Sequence, residues 1–175
     1  MISVLSVCVL ATALLIMPGC KQESDDAINY LESITGHQNK IIKKLLVLVK
    51  KFEGRDPVAM SMGLRAFQEQ VDISIEKVSS IQGYKGETTM RDACLDLFDL
   101  YKDVAAKEYK EMIEILGRRG SITQTDVDYL QRMQEDIGER EQGLDAALAK
   151  AQKDFADKYN FRLKSNKYQK EIDKL

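Results

Sequence analysis

The sequence predicts an all-α protein: an antiparallel up-down-up-down four-helix bundle with coiled-coil-like packing and a short C-terminal tail helix. Three observations lead there. Only two prolines occur in 175 residues, while Leu, Ile, Lys, Glu and Ala are plentiful. Little therefore interrupts a helix and much favours one. Four segments space their apolar residues at steps of four and three, which lines one helical face at a 3.5-residue period. Glycine, proline and capping residues then separate those segments. The length suits one domain that closes its own core.

The first element is different in kind. Residues 1–19 carry no charged side chain, and the apolar run from Ile2 to Met17 is shorter than the about 20 residues of a membrane-spanning helix. Its length matches the apolar region of a secretory signal. The run ends in Met17-Pro18-Gly19-Cys20, and the chain turns polar at once with Lys21-Gln22-Glu23-Ser24-Asp25-Asp26. That junction resembles the lipobox of bacterial lipoproteins. Gly19 matches the small residue required before the cysteine; Met17 stands where Leu is usual, and Pro18 departs from the usual small residue. No Lys or Arg precedes the apolar run, another departure, which places the true start codon in question.

The resemblance implies a signal peptide over 1–19, removed before Cys20. Cys20 would carry diacylglycerol on its sulfur and an acyl chain such as palmitate on its amine. Two or three chains hold a protein stably, where one does not. Residues 20–24 would be the lipidated cysteine and a tether, 25–160 the bundle, and 161–175 a basic tail. Lys21 rather than Asp after the cysteine implies the outer membrane, on its periplasmic face or at the cell surface. Taken whole, the chain resembles small helical envelope lipoproteins. Of the three cysteines, Cys8 would leave with the signal and Cys20 would be acylated. Cys94 would remain without a disulfide partner, a small buried hydrophobe in a helix.

The first helix is expected over about 25–52. Ala27, Leu31, Ile34, Gln38, Ile41, Leu45, Leu48 and Phe52 form its stripe, broken only by Gln38. Gly54 stops it, and Asp56-Pro57 starts the second as N-cap and first helical residue. The second, about 57–82, carries Met60, Leu64, Phe67, Val71, Ser74, Val78 and Ile81, and Gly83 and Gly86 end it. The third is read as continuous over about 90–116, with Thr89 and Asp92 as a capping box. Its wide apolar side runs from Cys94 through Tyr101, Val104 and Tyr109 to Leu116. The fourth has a capping box in Thr123 and Asp126, with Ile122 and Val127 as a hydrophobic staple. Its stripe continues through Leu130, Gln134, Ile137, Glu141, Leu144, Leu148, Ala151 and Phe155. Ser165 could cap a short tail helix containing Tyr168 and Ile172.

Short connections make sequential helices antiparallel. A tether of Lys21 to Ser24 reaches at most about 17 Å, so one bundle end would face the membrane. That end would hold the turn at Gly83–Gly86 and the tail, whose Lys164, Lys167, Lys170 and Lys174 would either meet anionic headgroups or form a solvated helix end. Arg55, Arg118 and Arg119 would share the far end, as a small positive tip or ordinary loop charges.

The composition excludes several functions. With 26 basic and 28 acidic side chains the net charge is -2, so the chain lacks the basic surplus that nucleic-acid binding uses. One histidine, His37, rules out a ferritin-like pair of Glu-x-x-His motifs, and it flanks the stripe, as a surface or satisfied side chain would. No phosphate loop or nucleophile elbow occurs. No cofactor is implied, and a non-enzymatic protein-interaction or structural role is expected, with an envelope protein as partner.

The alternative is a ligand- or copper-binding bundle. Met60 and Met112 fall at similar heights, and thioethers suit Cu(I), yet methionine is also a common core filler. Met60 and Met62 stand about 200° apart on a helix and cannot chelate together. Gln38, Ser74, Tyr101 and Glu141 fall within roughly two helical turns of one another. They read either as a polar layer that specifies register or as the wall of a small pocket. Glu108 is a further acidic residue near that side.

Overall fold

The structure is a computed structural model that describes residues 21–118, 122–164 and 168. The signal segment, Cys20, Arg119, Lys167, Lys170, Lys174 and most of the expected tail helix lie outside these residues. The described chain is all-α: α1 (Lys21–Gly54), α2 (Pro57–Ser79), α3 (Thr89–Ala106), α4 (Glu108–Leu116) and α5 (Gln124–Lys158).

Every apolar stripe turns inward. Ile34, Ile41, Leu48, Met60, Phe67, Val78, Leu97, Phe98 and Ala105 are wholly buried, and Cys94 with them. Burial pushes the Cys94 thiol far above its usual range, so it is an inert core atom rather than a nucleophile. Two caps form as the sequence predicts. The Asp56 side chain accepts from the Val58 N–H, with Pro57 next. Thr123 and Asp126 bond each other's backbone N–H reciprocally.

Several boundaries differ. Residues 21–24 already belong to α1 and are helix rather than an extended tether. The start of this helix is held: the Tyr84 hydroxyl donates to the Glu23 carbonyl at 3.1 Å, and Lys85 pairs with the Glu23 carboxylate. α2 ends at Ser79, short of the expected Gln82. The N-cap of α3 is Thr88, without a side-chain cap bond, so the expected box headed by Thr89 does not form. The body also extends past residue 160: Phe161 is buried and its N–H donates to the Ala156 carbonyl at 3.0 Å. Asn160, at φ 55°, makes the left-handed turn of a Schellman end.

The expected continuous third helix is divided at Lys107 (φ -119°, ψ -78°). No proline or glycine lies there. Instead Gln68 Nε2 of α2 donates to the Ala105 carbonyl at 2.9 Å. A side chain that takes a carbonyl from the helical ladder is a recognised cause of a kink. Beyond it Tyr109 enters the core against Phe52 and Phe67.

α1 packs on α2, α2 on α3 and α4, and α3 on α5. Gly63 of α2 approaches Leu48 of α1 so closely that a Cβ there would sit 3.3 Å from Leu48 Cδ1. Gly117, after α4, lies against Pro57 at the start of α2. At the other end Tyr30, Tyr84, Phe155, Tyr159 and Phe161 form one ring cluster. It joins the start of α1, the α2–α3 turn and the end of α5.

Candidate functional site

The four residues of the expected polar layer, Gln38, Ser74, Tyr101 and Glu141, are buried, whereas Gln134, the other polar position in the stripes, is half-buried. Two of the four meet. The Tyr101 hydroxyl on α3 donates to Glu141 Oε1 on α5 at 2.6 Å, wholly inside the core. This short bond to a carboxyl oxygen is of the strong, charge-assisted kind when the carboxyl is ionised. Ser74 takes a bond from within its own helix, Gln70 Nε2 donating to its hydroxyl at 3.1 Å.

The structure adds a residue that the stripe did not contain. Asp145, one turn beyond Glu141, is only 8% exposed, while Glu141 is 1% exposed. The heptad spacing assigns Leu144 to the core, but Leu144 is only partly buried. Similarly Met133 is buried where Gln134 was expected. Met133, Ile137, Glu141 and Asp145 step by four, and on a straight helix each such step rotates the buried face by about 40°. The drift carries Asp145 inward. Its four-residue spacing from Glu141, a same-face spacing in any helix, was the available signal.

The electrostatics of this pair follow from its surroundings. Burial raises the Glu141 carboxyl to about 7, against a smaller opposing effect of the Tyr101 bond. Burial and then the Glu141 charge raise Asp145 to about 8. Burial, with the neighbouring Glu141 and Asp145 charges, holds the Tyr101 hydroxyl well above its ordinary range. Glu141 Oε2 and Asp145 Oδ2 are buried with no hydrogen-bond partner. Such atoms are costly as charged acceptors, and protonation relieves the cost. Chemically, the cluster is built to hold protons.

The remaining candidates are placed as follows. Met60 and Met112 are buried in the common core, whereas Met62 is 69% exposed. The Met-x-Met pair is therefore split across the helix. Among the described residues no group of three or more His, Cys, Asp and Glu side chains is arranged to hold a metal ion. His37 is part-buried with its Nδ1 unpartnered, and burial, Lys40 and Lys77 depress its pKa. Glu108 pairs with Arg140 of α5 at 2.7 Å. Lys164 pairs with Glu32 at 3.2 Å and Arg118 with Asp126 at 3.1 Å, so neither cation stands unopposed. Among the described residues no helix is long and apolar enough to cross a membrane.

Comparison with protein-family models, with curated proteins and with solved structures finds no match.

Proposed function

We propose that this chain is a bacterial lipoprotein, held to the outer membrane by acyl groups on Cys20, whose helical body has a non-enzymatic role as a binding or structural partner of another envelope protein. The observation that carries the reading is the junction itself: an uncharged apolar run closed by Met17-Pro18-Gly19-Cys20. The helical conformation of residues 21–24 fits it. With so short a connection the lipid holds the body by one end.

In this reading the helices run up-down-up-down. The ring cluster of Tyr30, Tyr84 and Phe155 and the approach of Gly117 to Pro57 support that order. The first group would then lie at the membrane end and the second at the far end. Lys164, already opposed by Glu32, weakens the case for headgroup binding by the tail. The non-enzymatic role rests on the scarcity of His and Cys: Cys94 is wholly buried and His37 is the single histidine.

Metabolic labelling with palmitate and mass spectrometry of the protein from bacterial membranes test the anchor. The expected product begins at an acylated Cys20, and Cys20→Ser removes the label. A chain that keeps residues 1–19 and takes up no label would overturn the reading.

A further inference from the structure

We propose that the α3–α5 seam responds to protons: it closes while the Tyr101–Glu141–Asp145 cluster is protonated and loosens once both carboxyls are charged. This inference is independent of the lipid anchor.

The geometry carries it. Glu141 and Asp145 share one face of α5, and side chains at that spacing are neighbours. Both are more than nine-tenths buried. Each keeps one oxygen, Oε2 and Oδ2, without a donor. A proton on either carboxyl changes two things together. It removes one of two like charges, and it turns an acceptor into a donor. Loss of both protons leaves two adjacent charges in a core with one phenolic donor between them.

Among the described residues no cation pairs with these carboxyls. From α3 the facing group is Tyr101. From α4 come Tyr109, which feels the Glu141 charge, and Glu108 beside it; Arg140 on α5 is engaged with Glu108 and Asp136. From α2 the uncharged Phe67 packs against Tyr101, and the buried polar residues of α1 and α2, Gln38 and Ser74, carry no charge. The Tyr101 bond itself strengthens as its acceptor gains charge; the loosening comes from the two buried oxygens that have no donor and from the repulsion of two adjacent carboxylates. Burial lifts both carboxyls into the neutral range, which sets where the response falls. His37 titrates in the opposite sense and lies toward Lys40 and Lys77, so the test must cancel its contribution.

Amide hydrogen exchange of the full-length protein in a non-ionic detergent, corrected for intrinsic base catalysis, provides that test. Between roughly pH 5 and pH 9, protection over residues 97–104 and 137–148 should fall by about tenfold or more. The double variant Glu141→Gln/Asp145→Asn keeps His37 and should hold protection constant over the same range. An equal fall in both proteins overturns the proposal. Infrared spectra of the unmodified protein decide independently, whether or not the variant folds. Near pH 6, where ordinary carboxyls are ionised, a protonated-carboxyl band should persist; its absence also overturns the proposal.

Discussion

Arg55 occupies the left-handed region, at φ 49°, directly after Gly54, the last residue of α1. The glycine that the sequence offers as a helix stop therefore sits one position early, and a side chain with a Cβ takes the strained conformation. Arg55 is exposed, so little packing depends on it. Arg55→Gly should stabilise the fold by about 0.5–1 kcal/mol, read as a raised urea midpoint with an unchanged slope. A lower midpoint would mean that the guanidinium makes a contact worth more than the strain. Tyr101 is the opposite case, a side chain whose polar tip matters more than its position. Tyr101→Phe keeps the ring against Phe67 but leaves Glu141 without its donor. A loss of about 1–3 kcal/mol is expected near neutral pH. It should be smaller in acid, where the protonated carboxyl tolerates burial better; an equal loss across the pH range would count against the role given to this bond.

At the scale of elements, the break at Lys107 depends on a neighbouring helix. Residues 90–116 read as one helix because they contain neither proline nor glycine and keep an apolar side throughout. What the segment cannot encode alone is the Gln68 amide that takes the Ala105 carbonyl. Gln68→Leu should remove that partner and cost about 1–3 kcal/mol. It should also alter exchange at the amides of Tyr109 and Glu111, which follow the break. An unchanged stability and exchange pattern would show that the division arises from packing of Tyr109 alone. The caps behave otherwise. Asp56-Pro57 and Thr123/Asp126 were legible because an N-cap needs only three or four consecutive residues. The box headed by Thr89 failed within the same rule, since either of two adjacent threonines can end that loop and the turn from Gly83 to Glu87 chose Thr88.

At the scale of the whole molecule, the buried carboxyls make stability depend on pH with a definite sign. Their folded values, about 7 and about 8, lie above the ordinary carboxyl range. Below about pH 4 these groups are largely protonated in both states, and their burial carries little charge penalty. As the pH rises toward 8, the unfolded chain releases protons that the folded one retains. Stability from these groups falls across that window, by about 1.4 kcal/mol per unit of raised pKa. Three groups run against this trend. Asp126, bonded by Thr123 and Arg118, and Asp92, bonded by Thr88 and Arg91, are held below their usual range; their contribution is lost in acid. Burial lowers His37, so its contribution declines as the pH falls through the histidine range. Thermal melts of the intact protein should therefore show a stability maximum on the acid side of neutrality. Asp145→Asn should move that maximum toward higher pH. A maximum above about pH 8 in the unmodified protein would contradict the buried pair.

The sequence by itself determined the helical class, the inward stripes, two of the caps and the polar positions Gln38, Ser74, Tyr101 and Glu141. Those features are written in local spacing and in residue chemistry, and a helix reads them within one or two turns. Tertiary structure alone decided which polar residues meet. Tyr101 and Glu141 are forty positions apart, and their bond exists because α3 packs on α5. It also decided that Asp145 is buried, because a real helix turns at 3.6 residues and drifts away from a strict heptad. The break at Lys107 and the pinning of Glu23 by Tyr84 and Lys85 belong to the same class. Each depends on groups brought from a distant part of the chain, where no period in the local sequence can announce them.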